Sequence, residues 1–549
     1  MIKKTDKRQL SLSEFDHGLS GMGLSEDNRW VVLSRLVDWD SIEKVYNQKF
    51  SSPTGPPAIS SRIAVGALII KHIEGLSDRR TIAAIQENFY MQYFLGLASY
   101  VSKPLFDASL FVTLRKRITA EDFSRWIEAI MSKQGEPETR DEKPDNGSKA
   151  PPSGSGSPDQ LRPSGDKPSD NVPKQIGNKG SIKIDATVTP ADIRYPTDVN
   201  LLNDAREKSE ELIDKLYLQG TLTKKPKTYR QRARRDFLAY IKKRKHPRQE
   251  TYQAIKKQLN YLKRNIHLLN ILLDDLDNNN IVWGLDARQM KYLYVIQHLY
   301  AQQSKMYKER VNHVEHRIVS IHQPHVRPIV RGKAGSQTEF GAKVNISLID
   351  NIIRVEQMGW EAYNEGAFLV SIIEKYRERT GYYPDLVQVD SIYLTRENRK
   401  YMKWHNIRHT GKPLGRPVKE TLTAEQLKTR QEETSERNQV EGVFGVGKRR
   451  YLLDLVKARL SDTSLSWICA SFFAMNLMTL LRQSLFFVYF LLVRCTIRRI
   501  TGLFQALKST FVLELKLLWG NLQPLQPFYL QATAIRAQAL ASFNLWNGK

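Results

Sequence analysis

The chain has 549 residues, 41% of them hydrophobic, which allows several domains and excludes a wholly disordered protein. Lysine and arginine number 84 against 58 acids, a formal net charge of +26 that favours a polyanionic partner, nucleic acid or an acidic membrane surface. Two cysteines exclude a disulfide framework and a cysteine-rich zinc module, and they fit a reducing compartment. The residues after Met1 lack the apolar stretch of a secretory signal peptide, so none is predicted.

Residues 1–133 are predicted to form a helical N-terminal domain. Apolar residues at near-helical spacing predict helices over Asp27–Phe50 and Ser60–Ile73. Ser77 is a suitable N-cap for a third helix over Asp78–Glu87. Because two short helices joined by a glycine-containing turn resemble a helix-turn-helix, this domain is expected either to bind DNA ends or to serve packing and dimerisation.

A linker and a strand follow this domain. In residues 134–180, proline, glycine and serine make up 21 of 47 residues, which predicts a disordered or flexible tether. Ser181–Val188 then alternates in the manner of a strand, with Asp185 at its middle or near its C-terminal end.

A basic helical insertion is predicted over residues 206–326. Between Lys224 and Arg264 lie 16 lysines and arginines but only two acids, Asp236 and Glu250. A solvated helical face is the plain interpretation. Salt bridges along a helix need both signs of charge, so contact with phosphates is the better explanation.

Strands return after the insertion. Gln337–Leu348 and Ile352–Trp360 predict a hairpin, and Leu386–Asp390 predicts a buried strand that ends in an acid. Glu365–Thr380 is expected to be an amphipathic helix, and Ala424–Leu460 to be largely helical. Strands joined by a crossover helix indicate an α/β layer that is interrupted by the helical insertion.

Two apolar stretches occur late in the chain. Ser464–Leu481 has no charged residue, and Leu485–Val493 adds nine apolar residues after a polar interruption. A membrane span needs about 20 predominantly apolar residues. Buried core helices are therefore favoured over a membrane segment.

Three acids are the candidates for chemistry. Asp185 and Asp390 are predicted at or near the C-terminal ends of strands, where sites form in open α/β sheets. Glu441 is predicted on a helix, with Arg437 and Lys448 on the same face because the spacings are four and seven residues. Converging carboxylates can hold two divalent cations for in-line phosphoryl displacement.

The same residues also have ordinary interpretations. Most acids are solvated, and aspartate after a strand is often a turn residue or an N-cap. Gly442, Gly445 and Gly447 disfavour a regular helix around Glu441, although the close approach of a DNA backbone would explain them.

Four histidines form a second, weaker candidate. A zinc site is one interpretation of this group, and a phosphate-facing or packed loop is the favoured one. The four are His313, His316, His322 and His325. The sequence contains no glycine-rich nucleotide loop and no nucleophile elbow, so an ATP-driven motor is not expected.

The candidate residues lie in motifs that resemble bacterial insertion-sequence transposases of the DDE class, in the large IS-five and IS-four-like group. The motifs are Ile184-Asp185-Ala-Thr with Tyr195-Pro-Thr-Asp198, Val389-Asp390-Ser-Ile-Tyr393 with Arg396-Glu-Asn398, and Arg437 to Lys448 with Glu441 between them. Thr434 stands where the family has tyrosine. The resemblance covers roughly residues 10–130 and 180–482.

The resemblance implies an α/β ribonuclease-H-like catalytic core, formed by residues 181–205 and 327–483. Asp185, Asp390 and Glu441 would bind two Mg²⁺ ions, for which Mn²⁺ can substitute. Water would cut a strand at the element end, and the freed 3′-hydroxyl would attack target DNA. Phosphates would be positioned by a set of basic residues, namely Arg437, Lys448, Arg449 and Arg450.

The implied partners are double-stranded DNA, as terminal inverted repeats and as target, and a second protomer on that DNA. The implied location is the bacterial cytoplasm, at the nucleoid, and a membrane partner is not expected. Two alternatives stay open. One is a catalytically inactive, domesticated or decayed transposase that only binds DNA, and the other is an RNA-binding or membrane-surface protein. The role of residues 484–549 is not predicted.

Overall fold

The structure, a computed structural model, describes residues 11–17, 23–50, 58–135, 177–330, 338–411 and 424–484. The predicted linker over residues 134–180 and the extension over residues 484–549 lie almost wholly outside these ranges. The chain divides into two compact units, residues 1–479 and 480–549, and of the second unit only residues 480–484 are described.

Eight helices precede the first strand within the described residues. They are α1 (Leu12–His17), α2 (Arg29–Leu36), α3 (Trp39–Lys49), α4 (Ser61–Glu74), α5 (Asp78–Glu87), α6 (Phe89–Phe94), α7 (Leu110–Arg117) and α8 (Ala120–Gly135). The single helix predicted over Asp27–Phe50 is wrong. Val37 is extended, and the Asp38 side chain starts α3 by accepting from the Ser41 amide. Ser77 caps α5 as predicted, by accepting from the Arg80 amide.

A mixed six-stranded sheet follows. Its strands are β1 (Ser181–Pro190), β2 (Arg327–Val330), β3 (Thr338–Ile349), β4 (Ile352–Gly359), β5 (Leu386–Gln388) and β6 (Arg408–His409). The order is β2-β3-β1-β5-β6, and β4 pairs with the remaining part of β3. β3 is antiparallel to β1, β2 and β4, whereas β5 is parallel to both β1 and β6. The predicted hairpin is confirmed, with Asp350 and Asn351 at positive φ in its turn.

Four helices lie between β1 and β2. They are α9 (Asp198–Tyr217), α10 (Arg230–Ile241), α11 (Arg248–Asn278) and α12 (Ala287–Glu309). Leucines and isoleucines of α9, α11 and α12, among them Leu202, Leu262 and Ile296, bury one another in a separate apolar core. The predicted boundary at residue 205 falls inside α9, which runs through it unbroken.

Helices cover both faces of the sheet. The last four are α13 (Leu369–Thr380), α14 (Arg396–Trp404), α15 (Ala424–Arg450) and α16 (Ser461–Ser484). Ile182, Ile184 and Val387 pack against α13 and α14 on one face. Val344 and Ile346 of β3 pack against α15 and α16 on the other. The sheet is therefore the middle layer of three.

α16 contains Ser464–Leu481, the apolar stretch for which the sequence allowed either a buried core helix or a membrane segment. It is the one described helix long and apolar enough to cross a membrane, and 83% of its apolar window is buried within the protein. The N-terminal helices supply part of that cover, because Phe123 and Trp126 pack on Phe473. This burial supports the core interpretation. The second apolar stretch, Leu485–Val493, lies outside the described residues.

A buried ion cluster joins the N-terminal helices to α16. Lys71 is 1% exposed and its ammonium lies 2.8 Å from Asp78 Oδ1. Arg115 holds the same carboxylate with two bonds, of 3.0 and 2.8 Å. Both cations lie over the ring of Trp467 in α16. We call Lys71, Asp78 and Arg115 the junction cluster. Its one carboxylate is shared by two cations, which leaves one positive charge in excess, and burial lowers the pKa of Lys71 to about 8.

Candidate active site

Asp185 lies in the middle of β1 and faces α15. The strand continues to Pro190, which pairs with Gly341, so of the two positions that the sequence allowed, Asp185 has the mid-strand one and not the one near the C-terminal end. Side chains two residues apart share one face of a strand. Lys183 donates from Nζ to Gln439 Oε1 of α15 at 2.9 Å, and Asp185 therefore points to the same side as Lys183.

Asp390 directly follows Val389 and the short strand β5, beside β1. Ser181 pairs with Leu386 and Lys183 with Gln388 in the parallel register. The recorded pairing ends there, two residues before Asp185 and Asp390. Arg437 is the group that links the two acids, because it lies 3.6 Å from Asp390 Oδ1 and also lowers the pKa of Asp185.

Buried polar contacts hold the loop that carries Asp390. The Ser391 amide donates to Asp390 Oδ1 at 2.6 Å. Tyr393 donates its hydroxyl to Asn345 Oδ1 at 3.0 Å, which ties the loop to β3. The Asn398 amide donates to the carbonyls of Gly366 and Tyr393, both at 2.7 Å. These contacts give a structural reason for the tyrosine and asparagine in the motifs around Asp390.

Glu441 and Arg437 come from α15, which crosses this face. Arg437 Nη1 lies 3.6 Å from Asp390 Oδ1, and its Nη2 lies 3.8 Å from Glu441 Oε1. The two carboxylates are 57% and 64% exposed, while Arg437 is 26% exposed. One guanidinium therefore bridges a loop acid and a helix acid at the surface.

α15 is regular where its glycines had suggested a break. It runs unbroken from Ala424 to Arg450. Gly447 is packed tightly, because a Cβ there would meet Leu453 at 2.7 Å, whereas a Cβ at Gly442 would meet nothing within 4 Å. An unbroken helix places Lys448 on the face of Glu441, about 10 Å further along the axis. Arg449 and Arg450 are exposed at the helix end.

Negative charge is concentrated around Asp185. Burial is the largest cause that raises the pKa of Asp185, to about 6. The carboxylates of Glu365 and Glu441 raise this pKa as well, whereas the Ala186 amide and Arg437 oppose the rise. Ionised Asp185 is thus disfavoured by its surroundings as they stand, and an added cation would relieve it.

Glu365 was not predicted as part of this site. It lies in the 3-10 turn Glu365–Phe368, is 14% exposed, and pairs with Lys343 of β3 at 2.8 Å. An acid after a hairpin carries no distinctive signal in the sequence. Only the packing of that turn against the sheet brings Glu365 near Asp185.

The donor atoms fit a hard divalent cation, although the cluster is not closed. Among the described residues, no three carboxylate, imidazole or thiol side chains form a group that could hold one metal ion. Asp390 and Glu441 instead share Arg437, a positive group already placed between two carboxylates. Carboxylate oxygens are the ligands that Mg²⁺ prefers, so the chemistry fits once Arg437 moves aside.

The four histidines do not converge. His316 contacts Glu361 through Nδ1 at 3.0 Å, whereas His322 contacts the Tyr292 hydroxyl through Nδ1 at 2.7 Å. His325 packs edge-on against Trp360 instead. The packed-loop interpretation is therefore supported over zinc for these residues.

Comparison with known proteins gives two family matches. Residues 22–117 match a Transposase domain (DUF772), and residues 387–478 match a Transposase DDE domain. The second range contains Asp390 and Glu441, and Asp185 lies outside both. No solved structure matches the chain.

One curated relative is an uncharacterized protein, ORF8 in the nfe locus of Rhizobium meliloti. It is 30% identical over 101 residues, which are 18% of this chain and 48% of that protein. The chain thus spans about half the length of this relative. Its name assigns no activity, so the two family matches carry the comparison. A transposase domain followed by a DDE domain makes the chain similar to insertion-sequence transposases of the DDE class over residues 22–117 and 387–478.

Proposed function

We propose that the protein cuts DNA strands at the ends of its element and joins the freed ends to target DNA. The observation that carries this proposal is the contact of Arg437 with both Asp390 and Glu441, on the helix that crosses the face of β1 where Asp185 lies. Hydrolysis would break a phosphodiester bond at the element end and release a 3′-hydroxyl. That hydroxyl would then replace an oxygen on a target phosphate, without a covalent bond to the protein.

We propose further that the sheet and its helices form a ribonuclease-H-like core. The support is the sheet order, in which antiparallel β4, β3 and β1 are followed by parallel β5 and β6. Within that order, the acids lie on the central strand β1 and directly after its neighbour β5.

Asp185, Asp390 and Glu441 would hold two Mg²⁺ ions, or Mn²⁺ in their place. When bound, such ions stabilise the attacking and leaving oxygens of an in-line displacement. Arg437, released from its two carboxylates, would bind a phosphate beside the cut. Lys448, Arg449 and Arg450 would extend that contact along α15.

The insertion offers a second basic surface. Exposed basic residues of α10 and the turn after it have no carboxylate within ion-pair distance among the described residues; they are Arg232, Arg234, Arg235, Lys242, Arg244 and Lys245. Contact with DNA phosphates at this surface stays a prediction, and the resulting binding should weaken steeply with salt.

The decisive experiment uses the full chain and a supercoiled plasmid that carries both flanks of its element. With Mg²⁺ or Mn²⁺, the wild type should nick at the element ends. Asp185→Asn should lower the cutting rate at least about a thousandfold, equivalent to about 4 kcal/mol, and leave DNA binding intact.

Asp350→Asn in the β3–β4 turn is the matched control and should cut normally. Cutting that persists in Asp185→Asn would refute the proposed site. End binding without cutting by the wild type would favour the inactive DNA-binding alternative. Light scattering of a paired-end complex should give two protomers, and one protomer would contradict the proposed dimer.

A further inference from the structure

We propose that a cationic cavity, separate from the three carboxylates, binds a backbone phosphate of the same DNA. The cavity has a volume of about 240 Å³, and its lining includes Arg194, Tyr195, Arg288, His322 and Arg459. The proposal rests on the proposed function only in taking DNA as the ligand. We call these five residues the arginine cavity.

Three arginines reach the cavity from distant parts of the chain. Arg194 follows β1, Arg288 lies in the first turn of α12, and Arg459 lies between α15 and α16. A guanidinium nitrogen of Arg194 lies 3.3 Å from a carboxylate oxygen of Asp204, which partly neutralises the charge of Arg194. Within the part of the chain that the structure describes, neither Arg288 nor Arg459 forms an ion pair. The lining also contains two acids, Asp192 and Asp204, so its three arginines exceed its carboxylates by one charge. A bound anion would offset that excess.

The pKa of His322 reflects the cations around it. Burial lowers the pKa of His322, and the cations Lys208, Arg288 and Arg459 lower it further. Lys208 itself pairs with Glu211. The imidazole is thus kept neutral next to the arginines.

Tyr292 fixes the geometry of the cavity wall. Its hydroxyl lies 3.2 Å from Arg288 Nε and 2.7 Å from His322 Nδ1. Lys291 donates to the His322 carbonyl at 2.8 Å. A guanidinium held through Nε keeps its two terminal nitrogens available, and these can bind phosphate with two parallel hydrogen bonds.

An exposed aromatic ring stands beside the cations. Tyr195 is 69% exposed and is supported edge-on by Phe340, with 5.6 Å between ring centroids. An exposed ring next to arginines is the combination that single strands and distorted duplexes use, with phosphate on the cations and base or sugar on the ring. A free inorganic anion would have no use for that ring, so a DNA strand is the better ligand.

β1 sets the distance between cavity and carboxylates. The cavity wall begins at Asp192, two residues beyond the end of β1 at Pro190 and past the mid-strand Asp185. At about 3.3 Å per residue, this separation is roughly 20 Å. With about 3.4 Å per nucleotide along a duplex, the bound phosphate should lie about six nucleotides from the cut.

The test measures DNA affinity of the full chain by fluorescence anisotropy in EDTA, so that cleavage plays no part. The probe is a mixed-sequence duplex titrated at several potassium chloride concentrations. The Arg288→Ala/Arg459→Ala double variant should bind about tenfold more weakly at low salt. Its slope of log K against log salt should be smaller by about 1, the amount lost with one phosphate contact.

Matched variants separate the cavity from general charge loss. Lys305→Ala/Lys308→Ala removes two exposed lysines from the same helix, α12, and should leave the slope unchanged. Arg288→Lys/Arg459→Lys keeps the charge and should restore most of the slope. Thermal unfolding checks that each variant folds. An unchanged slope in the double alanine variant, or an equal change in the control, would overturn the proposal.

Two further outcomes are informative. Single phosphates along an element end can be replaced by neutral methylphosphonates. The replacement about six nucleotides from the cut should lower the DNA affinity of the wild type and leave that of the double alanine variant unchanged. Saturable binding of inorganic phosphate with no effect of the variants on DNA would indicate a free-anion site and would also overturn the proposal. A wild type that cannot cut DNA would refute the proposed function but leave these binding results unaffected.

Discussion

The junction cluster and the candidate active site both gather charges from distant segments, yet they balance them differently. In the junction cluster, one carboxylate, Asp78, is shared by two nearly buried cations. At the candidate active site, one arginine, Arg437, is shared by two exposed carboxylates, with half-buried Asp185 close by. The first arrangement stabilises the fold, and the second leaves negative charge for a ligand from outside the chain. Substitutions in each region should therefore act on different properties.

The largest stability effect is expected in the junction cluster. Asp78→Asn leaves Lys71 and Arg115 without a counter-charge and should lower the free energy of unfolding by about 3–5 kcal/mol, the range for a broken buried pair. Urea denaturation of the full chain measures it. Glu26→Gln, which breaks the exposed Arg35–Glu26 pair, is the control and should cost less than about 1 kcal/mol. If both variants lowered the free energy of unfolding by the same small amount, the junction cluster would not contribute more to stability than an exposed ion pair.

At Asp185 a substitution should raise the free energy of unfolding instead of lowering it. The pKa of Asp185 is about 6 in the folded protein, above the value near 4 of an unfolded aspartate. Ionised Asp185 therefore destabilises the fold above pH 6, and this destabilisation disappears as the pH falls toward 4. Asp185→Asn should therefore stabilise the metal-free protein by about 2 kcal/mol at pH 7.5 and by nothing at pH 4. Urea titrations in EDTA at the two pH values test this. A pH-independent effect of Asp185→Asn would contradict the charge imbalance.

Arg437→Ala should separate metal affinity from catalysis. Without the guanidinium, Asp390 and Glu441 are free of their shared cation, and Mn²⁺ should bind the DNA-free protein about fivefold more tightly, the equivalent of about 1 kcal/mol for an exposed ion pair. Cutting should nevertheless slow, because a phosphate contact is lost. Calorimetric Mn²⁺ titration and plasmid nicking measure the two effects. Arg437→Lys, which keeps the charge, should lie between wild type and alanine, and weaker metal binding in Arg437→Ala would refute the competition.

The smallest effect is expected at Gly442. Alanine there meets nothing in the described chain and should stabilise α15 by up to about 1 kcal/mol through helix propensity. If DNA approaches this bare face, the same variant should bind element ends more weakly. Gly447→Ala is the control and should destabilise, because its Cβ would lie 2.7 Å from Leu453. Unaltered DNA affinity in Gly442→Ala would place the DNA on another face of α15.

Local pattern alone was sufficient for many elements, and it is the basis on which the three acids remain candidates. The Ser77 cap, the β3–β4 hairpin and most helices follow from capping, turn and periodicity rules that act over a few residues. The position of Asp185 within its strand was left open between the middle and the end. Alternating burial in β1 stops at Ala186, after which the strand is buried on both faces to Thr189. The sequence still alternates there, with Val188 between two threonines, so the strand was predicted to Val188 and ends only two residues later, at Pro190.

The sequence by itself determined the basic character of this protein, and it made three acids candidates, one of them predicted on a helix face with an arginine and a lysine. Only the tertiary structure decided that β1 and β5 pair in parallel and that Arg437 bridges Asp390 and Glu441. It alone gathered Arg194, Arg288 and Arg459 around one cavity. The physical reason is the distance along the chain over which each kind of interaction acts. Propensity and capping act between near neighbours in the chain, whereas strand register and helix docking bring together residues hundreds of positions apart, and no local pattern carries that information.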